Sequence, residues 1–120
     1  MLDNYRFLTK SRLRQKACFD NVFKTRKRLN SPFGALRYVK TDRDFARLGI
    51  IISKKNVRLS VKRNQLRRIL REQFRFHQHA ICGYDIVFVA YKQANDVSNR
   101  EFHQYLRQLF TTLAKHSQRS

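Results

Sequence analysis

The sequence predicts an α+β fold, a single-domain α/β sandwich whose mixed sheet carries helices mainly on one face. Three observations predict it. The chain has 120 residues, the length of one domain with one core, and 42% of them are hydrophobic. Gly (3) and Pro (1) are scarce, which leaves little room for linkers or disorder. The apolar pattern switches period along the chain in the order helix, strands, helix, strand, helix.

Taken in order, residues 1–14 are polar and basic and read as an arm. Residues 15 to about 28 have a helical pattern, in which Ala17, Cys18, Val22 and Phe23 mix with polar positions, and Phe19 and Phe23 lie four apart on one face. Asn30-Ser31-Pro32 signals a turn. Residues 33–40 read as a strand, Asp42-Arg43-Asp44 as a polar connection, and residues 48–53, with Ile50, Ile51 and Ile52, as a more buried strand. These two strands predict an antiparallel hairpin, with an extra short strand preceding or splitting the region. Residues 57–78 form the long helix. Gly83 breaks the pattern, and residues 85–91, Asp-Ile-Val-Phe-Val-Ala-Tyr, suit a central strand. Asn95 and Asp96 mark a loop. Ser98, with Glu101 three residues later, has the form of a capping box. The helix it opens carries Phe102, Tyr105, Leu106, Leu109, Phe110 and Leu113 as an apolar stripe. Residues 114–120 read as a frayed basic tail.

Charge bounds the function. Lys and Arg total 27 against 8 Asp and Glu, for a formal net charge of +19. Self-repulsion at this density costs stability unless a polyanion relieves it. Nucleic acid is the usual relief, because each neutralised phosphate releases counterions. Solubility alone does not require so one-sided a charge. A membrane surface is a second polyanion that composition admits, but no apolar run has the length of a transmembrane helix. Residues 1–10 lack an apolar stretch of signal-peptide length. Cys18 and Cys82 stand in no metal-ligand spacing and read as reduced, partly buried thiols of a cytoplasmic protein.

On a wheel of about 100° per residue, Leu66, Ile69, Leu70, Gln73, Phe74 and Phe76 fall on one side of the long helix. Asn64, Arg67, Arg68, Arg71 and Arg75 fall on the other. Lys62 and Arg63 sit near the boundary, and Lys54 and Lys55 just before the helix. Guanidinium offers a planar fork of donors that matches phosphate oxygens, so such a row can track an RNA backbone. An ordinary solvated face mixes Glu with Lys at i and i+4; here Glu72 is the one acid between Lys54 and Arg75.

Ser53-Lys54-Lys55, followed by Lys62-Arg63-Asn64-Gln65-Leu66-Arg67-Arg68-Ile69-Leu70-Arg71-Glu72, resembles the signature of the bacterial ribonuclease P protein family: Ser-Lys-Lys, a spacer, then Arg-Asn-Arg, an apolar residue, Lys/Arg-Arg, two apolar residues and Arg. Cys18-Phe19-Asp20-Asn21-Val22-Phe23 is similar to the family's Phe-x-x-Val-Phe segment, and residues 83–90 to its last strand. The resemblance covers roughly residues 12–113. It departs at Gln65, where the family has a basic residue, and at Tyr91, where a basic residue usually stands and Lys92 follows. The family's aromatic in the first strand meets Leu36 here, with Tyr38 as its substitute two residues on. The resemblance implies a fold like the second domain of ribosomal protein S5, with a left-handed crossover around the long helix. It also implies a protein subunit of an endoribonuclease whose RNA partner is the catalyst, removing the 5′ leader of precursor tRNA with Mg²⁺ held by the RNA. The implied RNA-binding residues are Lys54, Lys55, Lys62, Arg63, Asn64, Arg67, Arg68, Arg71 and Arg75. Phe19, Phe23, Tyr38 and Lys92 would line a cleft for the single-stranded leader. Independently of the family, aromatic groups beside cations are how proteins hold single strands, although two Phe at i and i+4 also suit a core.

Autonomous catalysis finds little support. A two-metal nuclease needs clustered carboxylates, and the acids here, Asp3, Asp20, Asp42, Asp44, Glu72, Asp85, Asp96 and Glu101, are scattered. His77 and His79 lack a third metal partner and read as basic surface or a helix cap; His103 and His116 belong to no motif. The alternative function is a structural ribosomal or rRNA-binding protein, from which Arg63-Asn64 and the cleft aromatics distinguish this chain. A DNA-architectural role lacks a dimerisation stripe or β-arm. A membrane-active role does not need the globular pattern.

Overall fold

The structure, a computed structural model, describes residues 16–25 and 27–119, with backbone alone for 16–18 and 117–119. The expected arm at residues 1–14 lies outside the described residues. The elements are α1 (Lys16–Lys24), β1 (Arg28–Ser31), β2 (Gly34–Lys40), β3 (Arg47–Ile51), α2 (Ser60–His77), β4 (Tyr84–Ala90), a short 3-10 helix (Lys92–Asn95) and α3 (Asn99–Arg119). The four strands form one sheet in the order β1-β2-β4-β3.

The expected hairpin between residues 33–40 and 48–53 does not form. β4 lies between those strands, antiparallel to β2, with Leu36 opposite Phe88, and parallel to β3, with Ile50 opposite Phe88. The reason is burial. β4 is apolar on both faces, and all its residues but the partly covered Val89 are buried, so it takes the centre, where helices cover both sides. Residues 41–46 therefore cross the start of β4, and Thr41 fixes them there. Its N–H and Oγ1–H both donate to the Gly83 carbonyl, at 2.6 and 2.8 Å. The extra strand is β1. It precedes β2 and pairs with it antiparallel, so the turn falls at Pro32 and Phe33. Ser31 closes that turn, its Oγ donating to the Gly34 carbonyl (2.9 Å) and accepting from the Phe33 N–H (3.3 Å).

Alternation along the strands divides the core. Leu36 and Tyr38 of β2, Leu48 of β3, and Tyr84, Ile86, Phe88 and Ala90 of β4 face α2 and α3, meeting Leu66, Ile69, Leu70 and Phe74 and then Phe102, Leu106, Phe110 and Leu113. Gly34 makes room on this side: a Cβ there would stand 2.4 Å from the ring of Phe88 and 2.6 Å from the Val89 carbonyl. On the other face, Val87 packs against Val22 of α1. Two of the three α-helices among the described residues thus share a face, as expected, and α1 covers the reverse. α1 ends four residues earlier than the pattern suggests. Thr25 Oγ1 lies within hydrogen-bond distance of the Val22 and Tyr38 carbonyls, fastening the chain where it leaves the helix.

Ser98 caps α3. Its Oγ accepts from the Glu101 N–H (3.1 Å) and donates to the Glu101 carboxylate (3.2 Å). The helix then continues through residues where fraying was expected, to Arg119. Gly83, at φ +86°, holds the turn into β4 in the left-handed region, and a Cβ there would meet the Arg43 carbonyl at 3.1 Å. Gly83→Ala is expected to cost about 1–2 kcal/mol, read from chemical denaturation. An unchanged midpoint would mean that the turn relaxes to another conformation.

Candidate nucleic-acid interface

Between β3 and α2 the chain makes a compact turn. The Val57 N–H donates to the Ser53 carbonyl (3.0 Å), the Asn56 N–H to Ser53 Oγ (3.1 Å), and Asn56 Nδ2 to the Ala90 carbonyl (3.0 Å). The last bond sets the turn beside the end of β4, so the exposed Lys54 and Lys55 stand at the same end of the sheet as the exposed Lys92. α2 then starts with Leu59 at its N-cap and no side-chain cap. Arg63 stabilises this entry, with Nη1 donating to the Val57 and Arg58 carbonyls at 2.9 Å each. Lys62 Nζ donates to the Val97 carbonyl, tying α2 to the approach to α3. Lys62 and Arg63 thus carry structural bonds as well as charge.

Along α2, Leu66, Ile69, Leu70, Gln73 and Phe74 are buried. Asn64 and Arg68 are exposed, and Arg67, Arg71 and Arg75 on the same face are half-buried. Arg67 Nη1 donates to Asn64 Oδ1 at 3.3 Å, which spaces the motif residues along the helix. Glu72 lies 3.8 Å from His103 Nε2 on α3. Phe76 corrects the wheel, because it is 63% exposed. In this last turn α3 meets α2 through Phe110, which packs edge-on against Phe74 and stacks on His77 at 5.5 Å. The buried side is centred there on residues 74 and 77, and Phe76 falls outside it.

The reverse face of the sheet holds the second basic and aromatic surface. Phe19 and Phe23 are half-buried, packed with Val39 and Val89 around Val22 and Val87. Arg37, which the sequence reading missed, places its guanidinium 4.9 Å from the centre of the Phe23 ring, within cation–π range. Its signal was the alternation of residues 34–40, which puts 37 and 39 opposite 36 and 38. The same alternation removes Tyr38 from the cleft. Tyr38 is buried on the helical face, edge-on to Tyr84 at 5.8 Å and to His116 at 6.3 Å. Burial, with Tyr84 alongside, pushes its phenol above its ordinary pKa.

Near α1, Asn21, Lys40, Thr41, Asp42, Arg43, Arg47 and Asp85 line a hollow of about 590 Å³. Asp85 is buried at its floor and accepts from Arg47 Nε at 2.8 Å and Nη2 at 2.6 Å, with Arg43 Nη1 at 3.6 Å. The sequence reading also missed this cluster. Its signal was an acid beginning an otherwise apolar strand, since a buried carboxylate has to be paired. Elsewhere, His77 Nδ1 lies 2.8 Å from the Gln73 carbonyl and helps close the helix end. Cys82 is exposed and not partly buried as expected; the Cys18 side chain lies outside the described ones. No helix among the described residues is long and apolar enough to cross a membrane.

Comparison with known proteins adds the family. The family model for ribonuclease P matches residues 7–114. A ribonuclease P protein component of Pseudomonas savastanoi pv. phaseolicola is 51% identical over 74 residues, 62% of this chain and 56% of that protein. The chain therefore spans little more than half the length of this relative. One from Coxiella burnetii is 35% identical over 109 residues, 91% of this chain and 90% of that protein. Among solved structures, the Staphylococcus aureus RNase P protein superposes with a TM-score of 0.77 at 26% identity, covering 85% of this chain and 94% of that one. The Thermotoga maritima RNase P protein gives 0.67 at 30% identity, covering 88% and 96%. With its sheet order, its arginine helix and nearly its whole length accounted for, this chain belongs to the ribonuclease P protein family.

Proposed function

We propose that the chain is the protein subunit of a ribonuclease P ribonucleoprotein in the cytoplasm. It binds the catalytic RNA through α2 and holds the 5′ leader of precursor tRNA against α1 and the sheet, so promoting endonucleolytic removal of the leader. The observation that carries this reading is the α2 face from Asn64 to Arg75, where four arginines share one side of a helix and Glu72, the stretch's one acid, lies near His103. A row of guanidinium groups is worth little in water, but it gains with each phosphate it neutralises. Lys54, Lys55 and Lys92, grouped at one end of the sheet, extend positive charge from this face towards the cleft of Phe19, Phe23 and Arg37. A strand held there can stack on the aromatics while its phosphates meet the lysines. The RNA performs the cleavage. Magnesium stays with the RNA in this scheme, and no step assigned to the protein runs through a metal.

The test is a salt series. Arg67→Ala with Arg71→Ala is expected to weaken binding to the catalytic RNA by about tenfold per arginine and to lower the slope of log affinity against log salt by about one unit for each phosphate no longer neutralised. Filter binding between low and moderate salt reads both. An unchanged slope would remove α2 from the RNA interface.

A further inference from the structure

Three large apolar side chains of the α2 region stand in solvent: Leu59 is 68% exposed, Val61 65% and Phe76 63%. Single exposed apolar residues are ordinary, and here their placement is what matters. Leu59 and Val61 flank Ser60, the first residue of α2, and Phe76 lies in its last turn, about 22 Å along the axis from Val61. Val61 is seven residues before Arg68 and so lies on the same side of the helix. Leu59 and Phe76, seven residues from the buried Leu66 and Ile69, stand at the two ends of the helix beside the row and not in line with it. Cations neighbour each end. Arg58 and Lys62 adjoin the first in sequence, with Lys54 and Lys55 in the turn before it, and the Arg75 guanidinium is 5.9 Å from the Phe76 ring at the second. A second copy docking here would bring its own net charge of +19 against these cations, and Coulomb repulsion opposes that. A polyanion that also presents flat apolar faces suits both kinds of group, and unpaired bases and ribose faces of a folded RNA are such a surface.

We propose that Leu59, Val61 and Phe76 pack against bases or riboses of the RNA at the two ends of α2 and supply a part of the affinity that salt does not screen. The proposal rests on the reading of α2 as the RNA face. Ring stacking by Phe76 and burial of the two aliphatic groups remove apolar area from water, whereas the arginines act through counterion release. The two contributions therefore separate in a salt titration.

The full chain carrying Leu59→Ser, Val61→Ser and Phe76→Ser is compared with wild type for binding to the catalytic RNA over a range of salt. Expected is a line of log affinity against log salt parallel to that of wild type and lower by roughly tenfold to a hundredfold throughout. Coincident lines overturn the proposal. So does sedimentation in which the wild-type chain self-associates, the variant is monomeric and the binding lines coincide, since the patch then belongs to a second copy. A narrower pair guards against misfolding: Phe76→Tyr, which keeps the ring, should retain affinity, and Phe76→Ala should lose severalfold at every salt. Equal affinity for the pair overturns the stacking. If instead the Arg67→Ala, Arg71→Ala line also coincides with wild type, the α2 reading itself has failed, and this proposal fails with it.

Discussion

Asp85→Ala is expected to destabilise the fold by about 3 kcal/mol, a fall in melting temperature of roughly 10 °C for a chain of this size. Asp85 starts the central strand and is 2% exposed. Its carboxylate takes two hydrogen bonds from Arg47, which faces it in the parallel register, and lies within 3.6 Å of Arg43. Removing it takes two charge-assisted hydrogen bonds from Arg47, whose side chain is 14% exposed. Losing the counter-charge in such a place costs more than the pair contributes. β3 is an edge strand, so Arg47 has a partial escape to water, which sets the figure at the lower end of the range for buried pairs. Arg47→Leu in the same chain should then recover a good part of the loss, because an apolar side chain needs no counterion. A double-mutant cycle by urea denaturation reads the coupling. Additive losses, or a single variant as stable as wild type, would mean that Asp85 is not the anchor of this corner.

The same corner marks the limit of what the sequence discloses. Periodicity gave the long helix, the central strand and the apolar stripe of α3, because each buries one consistent side and that side is written locally. It did not give the neighbours of each strand. Residues 34–40 and 47–51 alternate equally well as a hairpin or as flanks of a third strand, and β4, which separates them, lies more than thirty residues downstream. The doubly apolar run from Ile86 to Val89 held the answer, since a central strand needs a partner on each side. β1 was nearly silent: Arg28-Leu29-Asn30-Ser31 has no β-branched residue and a polar composition. In the candidate site, Asn64, Arg67, Arg68, Arg71 and Arg75 were legible from one helix face. Tyr38 was misplaced because strand alternation says that Leu36 and Tyr38 share a side without saying which side α1 covers. Phe76 was misplaced because a wheel assumes the same cover along the whole helix, and the packing of α3 shifts in the last turn.

Phe19→Ala together with Phe23→Ala is expected to weaken binding of precursor tRNA by the assembled enzyme on the order of 30-fold or more, with much less effect on mature tRNA. Each stacked base is worth about 1–3 kcal/mol, and the two rings lie on one side of α1, with Phe23 beside Arg37. Both rings are half-buried against the valines of the sheet, so they are held in fixed positions while keeping an open edge, which is what a stacking platform needs. Truncation also removes packing around Val22 and Val87, so some loss of stability comes with it. That loss acts on the protein whichever tRNA is offered. The comparison between substrates with and without a leader is therefore the informative quantity, measured by competition at a temperature where circular dichroism finds the variant folded. Arg37→Gln, which keeps the length of the side chain but removes its charge, should move affinity in the same leader-dependent direction by a smaller factor. Equal losses for precursor and mature tRNA would reduce Phe19 and Phe23 to core residues and would move the leader to another part of the surface.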